Sequence, residues 1–543
     1  MKKPFAFGAT VFAGILVLSA FTFKDDLFEL RKNFEIFGAL YEEIALYYVD
    51  DVRPQPFMRA GIDAMLAELD PYTQYLDEAD MADMQLMQQR KVGAVGLNMA
   101  VLGGKLTVLA PEDNASAYQK GIRTGDIILQ IGETSGDGLS TGEAYELLMG
   151  QPGTVVSVLI QRGNEPTPRL FVLPRLLPKA RNVSFSGFLG ADSTEGIGYV
   201  RLDVFGNRAA REVKRAFRSL NQSVPLKGMV LDLRGNPGGL LNEAVDLAEI
   251  FVPKGSLITS IRTRLDDRSQ EYRTDEDPLF PDTPLIVLMD RHSASASEIV
   301  AGSLQDYDRA VVMGETSFGK GLVQITRPLP HNTLLKLTVS HYFLPSGRTI
   351  QSFELNSASA RVASPTLQSY ATPNGRTVRG GMGVEPDVAV DSKAPSELET
   401  VLEQESAFFL FANTWVERSC RAGVDCVSDE NALFDGFMEW ISVSGFRFST
   451  RSGQLIGELG QLNEGAGPQV GEALNVLRRE LLNQQNESLK ALKTPIVKQI
   501  QKEIRWRILT ESEVVKMDVQ QDGWVHQAID LIRTPSAMQD ILR

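Results

Sequence analysis

Apolar and polar residues follow different periods in successive parts of the chain, and each period predicts a kind of structure. Between residues 25 and 90, apolar positions recur three and four residues apart, as in FELRKNFEIFGALYEEIALYYV, which predicts helices. Residues 91–176 contain short apolar runs between glycine turns and one helix-like stretch, STGEAYELLMG, which predicts a small, independently folded module. Residues 177–392 alternate strand and helix patterns, and residues 393–543 return to mainly helical spacing. A chain of 543 residues is too long for a single core, so several domains are expected.

The alternating part contains two near-continuous apolar runs, in GMVLDLRG and TPLIVLMD. Strands of this kind are buried on both faces, because helices cover both sides of their sheet. A turn and a helix-like stretch follow each run, NPGGLLNEAVDLAEIFV after the first and SASASEIVAGSLQD after the second. Residues 177–392 are therefore predicted to form an α/β domain.

One face of a predicted helix near the C-terminus is apolar, with Thr494 as its cap and Pro495 as its first helical residue. Such a face can pack inside its own domain or mediate assembly with another subunit. We expect the internal role, because an apolar stripe on a helix is usually part of a core. The residues of the face are Leu489, Leu492, Ile496, Ile500, Ile504 and Ile508.

The N-terminus has the composition of an export signal. Met1-Lys2-Lys3 precedes an apolar stretch that runs to Phe23, and the first acidic residue is Asp25. The stretch is also about long enough to span a bilayer, so residues 1–24 are predicted to be a cleaved signal peptide or a retained membrane anchor. The rest of the chain is then expected in a bacterial-type periplasm or cell envelope, with a possible attachment to the inner membrane.

Charge and cysteine content exclude some functions. The formal charge of −14 argues against a nucleic-acid partner, since phosphate binding needs concentrated Lys and Arg. Cys420 and Cys426 are close enough for a small disulfide loop, although two free thiols also fit the sequence. Two cysteines and four scattered histidines supply no ligand cluster, so no metal is expected.

The stretch RHSASASEIVAG, residues 291–302, places three serines at alternate positions between a buried strand and a helix. A serine at such a turn can act as a nucleophile, because the N–H groups at the start of the helix can stabilise an oxyanion. Ser295 and Glu298 also fit a capping box, in which the serine only caps the helix. The pattern alone leaves Ser293, Ser295 and Ser297 open as the nucleophile.

Two residues are candidates to accept the proton of such a serine. His292 is adjacent along the chain, but no Asp is obviously placed to orient it. Lys320 follows a strand in GETSFGKG, and a serine–lysine dyad requires this lysine to be neutral. Burial among apolar groups can supply the roughly 4 kcal/mol needed to lower its pKa by ~3 units. The apolar residues that flank Lys320 in sequence are Val311, Val312, Met313, Phe318, Leu322 and Val323.

Two glycine-rich turns need separate interpretation. GETSFGKG nearly matches a phosphate-binding loop, but Gly321 stands where Ser or Thr should bind magnesium, and the strand-like LVQITRPL follows instead of a helix. Nucleotide binding is therefore rejected. DLRGNPGG, from Asp232 to Gly239, is either a tight connection or a source of backbone N–H donors for a developing oxyanion.

Together these motifs resemble those of the C-terminal processing, or tail-specific, serine proteases that carry a PDZ domain. DVRPQPFMRAGIDAMLAELDPYTQYL is similar to the family's helical lead-in and KGIRTGDIILQIGE to its PDZ signature, and DLRGNPGG, SASASEIVAG, GETSFGKGLVQ, SGRTIQ and GVEPDV follow in the family order. The resemblance covers residues 30–390. It implies a multidomain α/β protein with a crotonase-like (ClpP-like) catalytic core at 177–392, an inserted PDZ domain at 91–176, a helical N-terminal region at 25–90 and a mainly helical C-terminal extension at 393–543.

The resemblance also implies roles for particular residues of the catalytic core. Ser295 corresponds to the nucleophile, Lys320 to the general base and Gln324 to the residue that orients the lysine. The backbone N–H groups of Ala296 and Gly238 correspond to the oxyanion hole. No cofactor is implied.

In the PDZ domain, the segment VGAVGLNM corresponds to the loop that binds a free C-terminal carboxylate. Gly96, Leu97 and Asn98 are expected to present backbone N–H groups to that carboxylate, while the substrate tail adds as a strand. The family generally favours apolar tails, so protein or peptide substrates with apolar C-termini are expected. Oligomers through the C-terminal helices are possible in the family.

The predicted function is an exported serine endopeptidase that captures protein C-termini and cleaves its substrates with a serine–lysine dyad. The alternative is a catalytically inactive PDZ scaffold that binds C-terminal peptides, which the intact Ser295, Lys320 and Gln324 disfavour. An acyl-CoA enzyme on a similar core is disfavoured by the PDZ module and the export signal.

Overall fold

The computed structural model describes residues 28–78, 93–113, 115–163, 165–177, 181–190, 192–263, 270–352, 368–390, 395–420, 426–462 and 468–543. The described residues fall into two compact units. The smaller contains residues 28–77 and 324–338, and the larger contains nearly all the others. The export signal or anchor predicted for residues 1–24 lies outside the described residues. In the part of the chain that is described, no helix combines the length and apolarity needed to span a bilayer.

The smaller unit contains a helical hairpin. Residues 28–47 are helical, which confirms the prediction from the apolar period, and the second helix is Pro54–Ala67. The proline begins the second helix, where its missing N–H costs no hydrogen bond. The rings of Tyr41 and Phe57 stack across the hairpin with their centroids 5.7 Å apart.

Asp70 anchors the turn that ends the hairpin. Its carboxylate accepts hydrogen bonds from the backbone N–H groups of Tyr72 and Thr73, at 2.8 and 2.9 Å. The chain then enters strand Gln74–Leu76, which pairs antiparallel with the first part of strand Thr333–Phe343.

Residues 93–176 of the larger unit form the small module with its own core. Strand Val155–Gln161 shows the alternating burial expected of a sheet with one covered face. Helix Thr141–Leu148 begins with a capping box between Ser140 and Glu143. Strand Leu97–Leu102 is first in the order of the sheet and lies beside this helix. The other elements are the helix Ser116–Lys120 and the strands Lys105–Pro111, Ile127–Ile131, Thr134–Ser135 and Arg169–Pro174.

A six-stranded sheet forms the centre of the α/β domain. Every residue of its two central strands is buried, which confirms the prediction from the continuous apolar runs. The neighbouring strands are parallel except at one edge, where the last pair is antiparallel. In order across the sheet the strands are Val388–Ala389, Val311–Gly314, Leu285–Met289, Gly228–Asp232, Ile197–Leu202 and Val183–Leu189.

The two faces of this sheet are covered by helices from different parts of the chain. Helices Ala209–Ser223, Leu241–Ala248 and Ala296–Asp306 pack against one face. On the opposite face, where the alternate residues of each strand point, helix Gly523–Ile532 packs against side chains such as Val230. The predicted boundary between residues 392 and 393 stays a prediction, and helix Gly523–Ile532, which lies beyond it, shares a hydrophobic core with this sheet.

The rest of the C-terminal region forms a separate helical core. Four residues of the predicted apolar face are buried there, which confirms the internal role, while Ile508 is 45% exposed. The predicted start of the helix is wrong by two residues, because the helix begins at Lys493, with Leu492 in the capping position. The Leu492 N–H still bonds back to Ser488, so Pro495 falls within the first turn, where a proline is tolerated. The C-terminal helices are Glu397–Gln404, Ala407–Ser419, Glu430–Val443, Arg451–Leu462, Pro468–Ala491, Lys493–Ile508, Glu511–Gln521, Gly523–Ile532 and Pro535–Ile541.

Cys420 and Cys426 are joined by a disulfide in the helical region. The bond closes a short loop directly after helix Ala407–Ser419. The indole N–H of Trp415 donates to the carbonyl oxygen of Cys426 at 3.0 Å, so a hydrogen bond as well as the disulfide links Cys426 to the preceding helical segment. The remaining elements of the larger unit are the short 3₁₀ helix Ser193–Glu195 and the strands Leu257–Thr263, Gln270–Arg273, Gln368–Ala371 and Thr377–Gly380, while strand Leu322–Leu329 pairs with Thr333–Phe343.

Candidate active site

Ser295 has the backbone conformation of a strained strand-to-helix turn. Its φ is 56° and its ψ is −113°, values that L residues with a side chain rarely adopt. It immediately precedes helix Ala296–Asp306 and is 8% exposed. In the α/β-hydrolase fold a strained strand-to-helix turn presents a nucleophilic serine at the start of a helix.

The other two serines of the stretch hold the turn in place. The Ser293 hydroxyl donates to the carbonyl oxygen of Leu233 at 2.8 Å, and the Ser297 hydroxyl donates to that of Asn236 at 3.0 Å. Both serines are fully buried, and both bonds reach the DLRGNPGG turn. The structure thus separates three serines that the sequence pattern left equivalent.

Glu298 connects the serine turn to the lysine loop. One carboxylate oxygen accepts the backbone N–H groups of Ser295 at 2.7 Å and Lys320 at 2.9 Å. The other accepts the Ser317 hydroxyl at 2.5 Å and the Gly319 N–H at 2.6 Å. Since two of these bonds end on the same oxygen atom, the backbones of the candidate nucleophile and the candidate base are close neighbours.

The capping role predicted for Glu298 is only part of its function. Its own N–H donates to the Ser295 carbonyl oxygen at 3.0 Å, as expected at the start of a helix. Burial raises the pKa of the Glu298 carboxyl above its ordinary value, and the four donated hydrogen bonds oppose that shift. The sequence did not reveal the full network, because three of the four donors come from a loop that is distant along the chain.

Lys320 lies half-buried in a loop whose backbone is held on several sides. The Gly321 N–H donates to the side-chain oxygen of Gln351 at 2.9 Å, so the SGRTIQ motif supports the lysine loop. The following segment is the strand Leu322–Leu329, which confirms that the loop does not open a helix. Phe318 departs from the expected apolar surroundings, because 49% of it is exposed. Of the other flanking residues, Val311, Val312, Met313 and Leu322 are buried and Val323 is partly buried.

The SGRTIQ and GVEPDV motifs also hold the candidate catalytic helix. Arg348 is fully buried and forms an ion pair of 2.9 Å with Asp306, the last residue of the helix. Val384 and Ser317 exchange two bonds, of 2.7 Å from the Val384 N–H to the Ser317 hydroxyl and 3.1 Å from the Ser317 N–H to the Val384 carbonyl oxygen. The motifs therefore stabilise the C-terminal end of the helix and the loop that carries Lys320.

The candidate oxyanion hole consists of the backbone N–H groups of Ala296 and Gly238. Ala296 is the first residue of its helix, so its N–H has no acceptor four residues earlier within the helix. Gly238 lies directly against the serine turn, with a φ of 96°. However, its N–H donates to the side-chain oxygen of Asn236 at 2.9 Å. The role predicted for Gly238 stays a prediction, and it requires that the bond to Asn236 be exchanged for one to the oxyanion.

Gly238→Ala is expected to reduce kcat/KM at least about tenfold more than Gly235→Ala, which is roughly 1.4 kcal/mol. A Cβ at Gly238 would lie 2.6 Å from the Ala294 carbonyl oxygen and 2.8 Å from the Cβ of Ser295, so the serine turn must shift. Gly235 has a similar φ of 71°, but a Cβ there meets nothing within 4 Å. Both variants carry backbone strain, and only the first disturbs the site. Equal losses in a peptidase assay would contradict this assignment.

The C-terminal helices reach the DLRGNPGG turn through Arg234. Its guanidinium pairs with Asp232 at 2.5 Å and with Asp522 at 2.7 Å, and it stacks 5.2 Å from the ring centroid of Trp524. Burial alone would raise the pKa of Asp232, but Arg234 lowers it below its ordinary value. The turn beside Ser295 is thus anchored by residues nearly 300 positions later in the chain.

Tyr342 is a neighbour of Ser295 that the sequence did not identify. Its backbone N–H donates to the Gly321 carbonyl oxygen at 2.9 Å. Burial raises the pKa of the Tyr342 hydroxyl above its ordinary value, and the nearby Ser295 side chain opposes that shift. No periodic pattern marks this tyrosine, and the only available signal was its position just before SGRTIQ.

Two further candidates lie in different settings. Gln324 belongs to the smaller unit, where its amide donates to the Thr338 hydroxyl at 3.3 Å. Its proposed effect on Lys320 stays a prediction. His292 is exposed, and its backbone N–H donates to Asp290 at 3.0 Å.

The predicted carboxylate-binding loop has a backbone that only glycine allows. Gly96 has a φ of 69°, and a Cβ there would lie 2.0 Å from the Cβ of Ala115. Leu97 is buried in the core of the module, while Asn98 is exposed and accepts a bond from the Tyr145 hydroxyl at 3.2 Å. The three residues predicted to bind a carboxylate thus lie at the start of the edge strand.

Three family models match successive parts of the chain. "PDZ domain" matches residues 107–162, "Peptidase family S41" matches residues 196–357, and "Probable PDZ-protease, C-terminal helical domain" matches residues 398–532. The matches fall on the small module, the α/β domain and the helical region.

Similar proteins include named proteases. The chain is 31% identical over 403 residues to a carboxy-terminal-processing protease of Bartonella bacilliformis, and the alignment covers 73% of this chain and 84% of that protein. It is 28% identical over 385 residues to a probable CtpA-like serine protease of Staphylococcus aureus (strain N315), covering 69% and 75%. Among solved structures, the photosystem II D1 C-terminal processing protease aligns with 28% identity and a TM-score of 0.37, covering 66% of this chain and 88% of that one.

Proposed function

Because this chain belongs to peptidase family S41 and is a carboxy-terminal-processing serine protease with a PDZ domain, we propose that it cuts its substrates with a Ser295–Lys320 dyad. The observation that carries this proposal is the shared bond to Glu298, which brings the two backbones together. The four-carbon side chain of Lys320 can span the distance between these two backbones. The names of the relatives favour this catalytic interpretation over a silent PDZ scaffold.

In the proposed reaction the Ser295 hydroxyl oxygen attacks the scissile carbonyl carbon, and neutral Lys320 accepts the hydroxyl proton. The Ala296 N–H donates to the oxyanion of the tetrahedral intermediate. Protonated Lys320 then gives its proton to the leaving amine as the C–N bond breaks, which leaves an acyl-enzyme. A water molecule attacks the ester while Lys320 takes a proton from it, and the proton returns to Ser295 as the acid product leaves.

Three finer assignments complete the proposal. Gln324 is proposed to orient Lys320, on the resemblance to the family motif GKGLVQ. The α/β core is proposed to be crotonase-like, and its mainly parallel sheet with helices on both faces supports this. Gly238 is proposed as a second donor to the oxyanion after exchange of its bond with Asn236.

The PDZ module is proposed to bind the free, apolar C-terminus of a substrate through the backbone of Gly96, Leu97 and Asn98. An unfolded substrate with an apolar tail is expected to be cleaved at least about tenfold more efficiently with a free C-terminal carboxylate than with an amidated one, since a carboxylate makes charge-assisted hydrogen bonds. Matched substrates that differ only in this group test the proposal, with kcat/KM as the readout. Equal cleavage of both would contradict recognition of the carboxylate.

The chain is also proposed to be exported to the cell envelope, which rests on the composition of residues 1–24. Cell fractionation followed by mass spectrometry of the N-terminus tests this. A start after residue 20 indicates a cleaved signal, and an intact N-terminus in the membrane fraction indicates an anchor. Recovery of the intact chain from the cytoplasm would contradict export.

A further inference from the structure

The groove in which a substrate tail would add as a strand lies between strand Leu97–Leu102 and helix Thr141–Leu148. The strand is paired on one side with Lys105–Pro111. On its other side, within the described residues, no strand of the sheet accompanies it. This is the edge at which strand addition must occur.

The side chain of Tyr145 already bridges this groove. Tyr145 is on the helix, and its hydroxyl oxygen accepts the backbone N–H of Met99 at 3.3 Å. The same hydroxyl donates to the side-chain oxygen of Asn98 at 3.2 Å. The helix and the edge strand are therefore linked by two hydrogen bonds through one phenol group.

The bond from Met99 uses a donor that strand addition requires. A peptide that pairs with an edge strand takes the outward-facing backbone N–H groups with its carbonyl oxygens. The Met99 N–H faces the helix, and Met99 directly follows Asn98, the last of the three residues predicted to bind the carboxylate. A bound tail and the Tyr145 hydroxyl therefore compete for the same N–H.

We propose that Tyr145 discriminates among substrate tails, because a tail enters the groove only by displacing the Tyr145 hydroxyl from Met99 and Asn98. This inference rests on the proposed function of the PDZ module in binding C-termini. The carboxylate and main-chain hydrogen bonds of a tail must offset the loss of the two Tyr145 hydrogen bonds. Tails that cannot form these carboxylate and main-chain bonds are therefore excluded. The substrate class selected is an extended peptide with a free C-terminal carboxylate, whose main chain can pair with the edge strand.

The hydroxyl of Tyr145 can be tested apart from its ring. Tyr145 is partly buried, and its ring packs against the core of the module. Tyr145→Phe keeps this packing and removes both bonds, so the module is expected to stay folded. Tyr118→Phe is the matched control: it lies in the same module, and its ring contacts Arg123 rather than the groove.

The test measures binding of a labelled apolar peptide to the full chain carrying Ser295→Ala, which prevents cleavage. Tyr145→Phe is expected to tighten binding of the free-carboxylate peptide about 5- to 10-fold, corresponding to about one net hydrogen bond, while Tyr118→Phe leaves it unchanged. In the chain with Ser295 intact, Tyr145→Phe should lower KM by a similar factor with kcat unchanged. Hydrogen exchange at the Met99 amide should also become faster in the unliganded variant.

The outcomes separate this inference from the proposal on which it rests. Equal or weaker binding by Tyr145→Phe, with the free peptide still preferred over the amidated one, would overturn the role of Tyr145 alone. If the chain with the native tyrosine binds free and amidated peptides equally, carboxylate recognition fails and the inference fails with it. Tighter binding by Tyr118→Phe to the same extent would also overturn it, because the effect would not belong to the groove.

Discussion

Ser295→Ala, Lys320→Ala and the double variant are expected to lose peptidase activity to nearly the same extent, by about 10⁴-fold or more in kcat. The serine cannot attack without a base, and the base has no proton to accept without the serine. Groups that act as a unit therefore show losses that do not add. The measurement is kcat on an unfolded substrate with an apolar tail, after circular dichroism has shown that each variant is folded.

Two further variants identify the base. Lys320→Arg keeps the positive charge and much of the length, but a guanidinium stays protonated and cannot act as a base, so it should be as inactive as Lys320→Ala. His292→Ala should retain activity within about twofold, as expected for an exposed side chain that takes no part in the proposed dyad. Loss of activity in His292→Ala together with an active Lys320→Ala would replace the dyad by a serine–histidine pair.

Glu298→Ala is expected to destabilise the fold by about 3–5 kcal/mol and to abolish most activity, because it removes a buried acceptor of four hydrogen bonds. Three of these donors are backbone N–H groups, which cannot turn away to find other partners. Without the carboxylate, the Ser295 turn and the Lys320 loop lose their common support. Urea denaturation and kcat/KM measure the two effects.

The matched control for Glu298 is Glu399, which occupies the same position in the capping box of helix Glu397–Gln404. Glu399→Ala removes a partly exposed cap and should cost about 1 kcal/mol or less. Glu298→Gln keeps the shape but turns an NH₂ group toward donors, so its stability should fall between those of the native chain and Glu298→Ala. A loss in Glu298→Ala no larger than that in Glu399→Ala would reduce Glu298 to an ordinary capping residue.

The position of Glu298 shows how one residue can have a local and a distant role. Locally it fits the sequence rule for a helix start, and that rule led to the expectation of a cap. In the folded chain the same carboxylate also accepts bonds from Ser317, Gly319 and Lys320. The second role depends on which loop the fold places beside the helix.

Local pattern was sufficient for much of the architecture. The apolar period predicted the helix at 28–47, and the continuous runs predicted the fully buried strands Gly228–Asp232 and Leu285–Met289. The strand after Lys320 was also predicted, which excluded a phosphate-binding loop. These features depend on neighbours within a few residues, so the sequence alone determines them.

Which helices and strands pack against one another was determined only by the tertiary structure. Nothing in the pattern of helix Gly523–Ile532 indicates that it covers the sheet beside Val230, because an apolar helix face fits any complementary surface. For the same reason, the link from Arg234 to Asp522 and Trp524 was not foreseen.

In the candidate site, too, some features are determined by the local sequence and others by the tertiary structure. The sequence determined that a serine lies at a strand-to-helix turn and that a lysine follows a later strand, since both are properties of short segments. The fold decided that Ser293 and Ser297 form structural bonds, that the Gly238 N–H is already used, and that Tyr342 meets Ser295. The bonds of the two serines and the position of Tyr342 depend on segments far apart in the chain, whose distances and directions exist only after the segments have packed.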